Sequence, residues 1–181
     1  MTVREVISLA ASCLGREELA KKALSEKAEG ELETLVRCFN LVENEIALDY
    51  FPLKRTQEVA VKEGRIYYSA LSSAPVNVHR VTSGGRVISF TLFPEYAKLK
   101  EGATEAEVLY SYIPSEKGID GVSEFSGKIS ARLMAFGVCV EFCLCRAQYD
   151  EAAMWEKRYR EALRAANILR RRLCVRPRRW V

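Results

Sequence analysis

The chain has 181 residues, 49% of them apolar and 29% charged, which suits one domain or one domain with an insertion and excludes both wholesale disorder and a membrane bundle. One histidine, His79, and three aspartates, Asp49, Asp120 and Asp150, exclude a histidine-rich metal site within a chain and leave a Ser-His-Asp triad a single imidazole to use. The formal charge of +4 is uneven: residues 151–181 carry ten Lys/Arg against three Glu, while residues 1–150 carry 18 basic against 21 acidic residues.

The first third reads as helix. Thr2 and Glu5 have the spacing of a capping box. Val3, Val6, Ile7, Ala10 and Leu14 follow at helical intervals, and Gly15 is the predicted stop. Residues 16–29 are charged, alanine-rich and weakly amphipathic. After Gly30, Leu32, Leu35, Val36, Phe39, Val42 and Ile46 form one apolar stripe running to about Tyr50. Pro52 ends it, because proline disfavours helix in the residue before it.

The middle changes period. Val59 and Val61 alternate with polar neighbours, and Lys62-Glu63-Gly64 reads as a hairpin turn into Arg65–Tyr68. Residues 75–81 alternate again, and Ser83-Gly84-Gly85 is a turn. Ile88, Phe90 and Leu92 are predicted to share one face, as are Ala106, Val108, Tyr110 and Tyr112 in a last strand. About five strands with short connections predict a mostly antiparallel sheet. Residues 114–128, with Pro114 and three glycines, read as a linker. Helix then returns: 129–147 is apolar almost all round, and a second helix, capped by Asp150, carries the stripe Trp155, Tyr159, Leu163, Ala166, Leu169 and Leu173. Pro177 stops it.

The predicted fold is therefore α+β: a helical bundle from the N- and C-terminal segments with an inserted, mostly antiparallel β-sheet of about five strands. The segments are 1–52 for the first helices, 53–118 for the sheet region, and 119–181 for the linker, two long helices and basic tail, packing with 1–52.

Little in the sequence points to catalysis. His79 sits mid-strand beside Arg80, without an evident nucleophile or orienting partner. Ser83-Gly84-Gly85 lacks the Lys-Ser/Thr and following helix of a phosphate loop. Glutamates such as Glu17, Glu18, Glu43 and Glu45 read as solvated helix faces. Of six cysteines, Cys139, Cys143 and Cys145 cluster, but no second knuckle completes a zinc site, so Cys13, Cys38, Cys174 and these three are expected to be reduced packing thiols. No enzyme activity, cofactor or metal is expected. The start lacks a basic segment followed by an apolar block, and the longest nearly apolar stretch, Leu133–Cys145, has 13 residues where a bilayer needs about 20. The expectation is a soluble chain made in a cytoplasm.

The basic end is the strongest candidate site. Every charge after Glu161 is an arginine. Arg170, Arg171 and Arg172 suit the negative end of a helix dipole, whereas Arg176, Arg178, Arg179 and Trp180 lie beyond the helix break. Trp and Arg are the residues in which interfaces concentrate their binding energy. Such an end seeks an acidic protein surface, a nucleic acid or an anionic lipid. One reading is thus a cytoplasmic nucleic-acid-binding protein using an arginine-rich C-terminal helix and tail, although no zinc finger, RRM motif or clear helix-turn-helix is present.

Three stretches resemble the head-to-tail connector proteins, also called adaptor or neck proteins, of tailed bacteriophages. They are Leu48–Lys54, which resembles the exit from the N-terminal helices, Val108–Pro114, which resembles the last strand, and Gly137–Leu163, which resembles the paired C-terminal helices. The resemblance implies a non-enzymatic structural protein of the virion neck, made in the bacterial host cytoplasm. It implies a homo-oligomeric ring, a dodecamer in this family, below the portal protein. That ring lengthens the DNA channel, contacts the DNA without sequence specificity, receives a downstream neck, stopper or tail protein, and meets no membrane. It assigns portal docking to Arg170, Arg171, Arg172, Arg176, Arg178, Arg179, Trp180 and Val181. The inserted sheet is a departure, since the smaller connectors are nearly all helix. A ring needs a heterologous interface, for which the helix at 129–147 is a candidate if it is not consumed in the core of its own subunit.

Overall fold

The computed structural model describes residues 1–25, 27–125, 127 and 129–170, with the backbone alone for 167–170. The protein is α+β, with helices at both ends of the described chain and antiparallel sheets between them. Packing divides it into two units. One comprises Met1–Glu43 with the described residues from Glu116 onward, the other Asn44–Ser115. The divisions thus fall at 43 and 115, where the sequence reading placed 52 and 118.

In the helical unit, α1 (Val3–Cys13) starts on the expected capping box: Glu5 N–H donates to Thr2 Oγ1 at 3.2 Å, and Thr2 N–H to Glu5 Oε2 at 2.8 Å. Val3, Val6, Ile7 and Ala10 are buried. Gly15 closes the helix at φ 71°, a left-handed conformation that glycine adopts without a Cβ penalty. The charged stretch after it forms α2 (Glu17–Ser25), which buries Ala20 and Ala23 and is held to α1 by Ser8 Oγ donating to the Ala20 carbonyl at 3.0 Å. In α3 (Glu31–Glu45), Leu32, Leu35, Val36, Phe39 and Val42 are buried as the stripe requires. The helix does not reach Tyr50 with α-helical winding. From Ile46 it loosens into a π-helical turn, Ile46–Tyr50, closed by Phe51 N–H on the Ile46 carbonyl at 2.7 Å.

The Asn44–Ser115 unit holds seven strands among the described residues, against about five expected. Leu53–Ala60 (β1), Arg65–Tyr67 (β2), Pro75–Ser83 (β3), Arg86–Val87 (β4), Phe90–Leu92 (β5), Tyr96–Leu99 (β6) and Glu105–Tyr112 (β7) make a sheet ordered β1-β7-β3-β4 and another ordered β2-β6-β5, all antiparallel. Two differences from the sequence reading have one cause: the chain changes sheet at its turns. Glu63 and Gly64, at φ 53° and 71°, make the expected tight turn, but β1 leaves it to pair with β7 and β2 to pair with β6. Likewise the alternating run at 86–92 is two strands, broken at Ile88 and Ser89, so Ile88 is buried while Leu92 is half exposed. One core serves both sheets and contains Val59, Ile66, Val81, Ala97, Leu99, Val108 and Tyr110. The Tyr110 side chain is wholly buried, and its hydroxyl is satisfied by Gln57 Oε1 at 3.1 Å and Ser72 Oγ at 3.2 Å, which ties the segment after β2 across the sheet.

Residues 114–128 are more than a linker. Val3 N–H donates to the Gly121 carbonyl at 3.0 Å and Ser123 N–H to the Met1 carbonyl at 3.2 Å, adding a short antiparallel bridge, while Ile119 and Phe125 are buried. Then come α4 (Ala131–Cys145), N-capped by Ser130 Oγ, and α5 (Tyr149–Arg170). The turn between them runs through Ala147 at φ 55°. No helix among the described residues is long and apolar enough to cross a membrane.

Candidate partner-binding surface

The α4–α5 hairpin carries the predicted docking segment. Leu133 to Val140 of α4 are buried without interruption in the core of their own unit, while Leu144 near its C-terminal end is exposed. Helix α5 lies along it through Ala152, Trp155, Tyr159 and Leu163, all buried. The Trp155 ring meets Phe136 with centroids 5.7 Å apart. Gly137 permits this approach: a Cβ there would stand 2.6 Å from Val42 Cγ1 and 3.0 Å from Tyr159 Cε2.

Helix α5 has 22 residues and α4 has 15, so α5 runs about 33 Å against about 22 Å. It is thus seven residues longer, and its C-terminal end leads toward the arginine-rich segment. Its charge is graded along the axis. Tyr149 opens the helix, so Asp150, expected as its cap, lies with Glu151 inside the first turn, and Lys157, Arg158, Arg160 and Arg164 stand exposed further along, as the helix dipole favours. Arg158 covers the Trp155 ring at 4.9 Å, and Arg160 is held by Glu156 one turn back. Of the predicted docking residues, Arg170 is the last residue of α5, with its backbone alone described. Arg171, Arg172, Arg176, Arg178, Arg179, Trp180 and Val181 lie outside the described residues, as does Cys174.

At the other end of the hairpin a charge cluster fixes the turn. Both carboxylate oxygens of Glu31 accept hydrogen bonds from Arg16 Nη1, at 2.8 and 2.9 Å, and Glu31 also pairs with Arg146. Both guanidinium groups sit over the Phe142 ring, at 5.2 and 5.0 Å. The hydrogen bond from Arg16, aided by Arg146, holds the Glu31 carboxyl below the usual carboxylate range.

Glu43 corrects the sequence reading. Expected on a solvated face, it is 1% exposed. Lys117 Nζ lies 2.9 Å from its carboxylate, and Ser123 Oγ and Glu124 N–H donate to it at 2.7 and 3.0 Å. Asn40, one turn earlier, exchanges two hydrogen bonds of 2.9 Å with the Lys117 backbone. The stripe itself carried the signal, since position 43 follows Phe39 by four and Val36 by seven. This group locks the 114–125 segment to α3 and leaves no open carboxylate for acid–base work.

The other candidates remain separate. His79 is exposed at a register shift of β3. Ser83-Gly84-Gly85 is the β3–β4 turn, with Gly84 and Gly85 at φ 55° and 77°. Cys13, Cys38, Cys139, Cys143 and Cys145 are free thiols, of which Cys38, Cys139 and Cys143 are buried. Burial pushes the Cys38 thiol up to about 12 and raises Cys139 and Cys143 as well, so these three are poor nucleophiles. Among the described residues no three His, Cys, Asp or Glu side chains come together as a metal site. No protein-family model matches the chain, and no curated protein matches it.

Proposed function

We propose that this protein is a structural subunit of a bacteriophage neck, a connector that assembles as a ring below the portal and docks through its arginine-rich C-terminal segment. The observation that supports it is that α5, seven residues longer than α4, leads into a stretch with no acidic residue after Glu161. A helix packed on α4 through Ala152, Trp155, Tyr159 and Leu163, and continued by an arginine-rich sequence, suits delivery of a docking peptide. The paired helices α4 and α5 cover the stretch Gly137–Leu163, one of the three on which the resemblance to connectors rests. Leu144, Tyr149 and Met154, exposed around the α4–α5 turn and the first turns of α5, are available for ring contacts.

The second reading, nucleic-acid binding by the same arginines, is favoured by the charge alone, and salt separates the two. Binding of duplex DNA through arginines falls with a log–log slope of about 0.9 per phosphate contacted. Docking into a protein pocket depends on the buried ring. With the portal protein of the same phage as the probe, Trp180→Ala is expected to weaken association by about 2 kcal/mol, and Arg178→Ala less, with a stronger dependence on salt. Equal affinities for wild type and Trp180→Ala would contradict docking by this segment.

A further inference from the structure

The three-stranded sheet carries on its wet face a pattern that the connector reading does not use. Tyr67 of β2 lies opposite Tyr96 of β6, and Phe93, just past β5, donates its N–H to the Tyr96 carbonyl at 2.9 Å. The three side chains form a row across all three strands. Tyr96 stacks on Phe93 with centroids at 4.8 Å and planes 18° apart, and meets Tyr67 at 5.8 Å. Two residues further along each strand, about 7 Å away, the next row is Arg65, Lys98 and Thr91. Lys100 follows beside Ser89, whose carbonyl accepts its N–H at 3.0 Å. The intervening residues Ile66, Ala97 and Leu99 point the other way into the core.

Part of this face is left open by the fold. Phe93 is 39% exposed, although β6 already buries its inner side chains. Arg65 and Lys98 stand directly opposite each other, and like charges so placed repel. The Arg65 guanidinium lies 5.1 Å over the Tyr96 ring, on which Phe93 is also stacked, so Tyr96 is covered and Phe93 is the ring left with an open face. Glu63, in the turn before β2, acts electrostatically on Arg65, whose guanidinium is also hydrogen-bonded to Tyr67; Lys98 and Lys100 are exposed.

We propose that this face binds single-stranded nucleic acid, with an unstacked base on Phe93, which Tyr96 backs, and phosphates against Arg65, Lys98 and Lys100. Aromatic faces accept any base, and the adjoining cations relieve their own repulsion on a phosphate chain. A duplex cannot use the ring, because its bases are already stacked on one another. The inference is independent of portal docking: it uses residues of the Asn44–Ser115 unit only, and none of the arginines after Glu161.

The test is fluorescence anisotropy of the full chain with labelled oligothymidylate and with a duplex of the same length. The single strand is expected to bind the more tightly. Phe93→Ala should lower its affinity about tenfold and leave duplex binding by the arginine-rich end unchanged. Lys98→Gln should reduce the single-strand salt slope by about 0.7. Both changes are at exposed positions, and an unchanged circular dichroism spectrum would verify folding. Single-strand binding no tighter than duplex binding, or unaffected by both substitutions, would overturn the proposal.

Discussion

Gly137 shows how one missing side chain sets the spacing of three helices. Giving it a methyl group adds helix propensity worth about 1 kcal/mol, but that methyl would sit 2.6 Å from Val42. Overpacking at such a site costs about 1–3 kcal/mol, so Gly137→Ala should lower the urea midpoint despite the better helix former. Glu141 is a milder misfit on the same helix: burial raises its carboxyl above the ordinary 4.5. The folded state then holds the proton to higher pH than the unfolded chain does. Stability therefore falls as pH rises from the ordinary value through the raised one. Glu141→Gln should raise the urea midpoint at neutral pH, with the gain vanishing below about pH 4. The sequence placed Glu141 inside an apolar run, and that position was legible. Glu43 was legible by spacing and misassigned by charge, because its partners, Lys117 and Ser123, are more than seventy positions away along the chain.

At the scale of elements, periodicity located most helices and strands but not where the chain changes sheet. Alternation reports which residues face one way; it does not report which strand lies alongside. The run 86–92 therefore reads as one strand, and β6, which begins two residues after Pro94, carries no signal of its own. The capping box at Thr2, the glycine stop at 15 and the tight turns at 63–64 and 84–85 were readable because they depend on neighbours in sequence. The segment 114–125 was not, since its order comes from Asn40 and Glu43 on α3. Asn40→Ala removes both bonds to the Lys117 backbone. It should speed amide hydrogen exchange across 117–123 and leave α1 and α4 protected, as mass spectrometry of the corresponding peptides would show; unchanged exchange there would mean that Glu43 alone suffices.

At the scale of the molecule, two compact units share one chain, and its charge is concentrated at one end. The class of fold and that charge asymmetry were both legible. The proposed docking segment was legible only as composition, and seven of its eight residues, from Arg171 to Val181, lie outside the described residues. The proposed function requires that α5 and the arginine-rich segment after it join this protein to a portal ring. Electron microscopy of portal-bearing capsids incubated with the full chain, and with a chain ended after Leu173, tests this most directly. An exposed terminus contributes little to a core, so both proteins should fold. The expected result is a ring of added density below the portal with the full chain and none with the shortened one. Equal rings with both, or no ring with either, would contradict it.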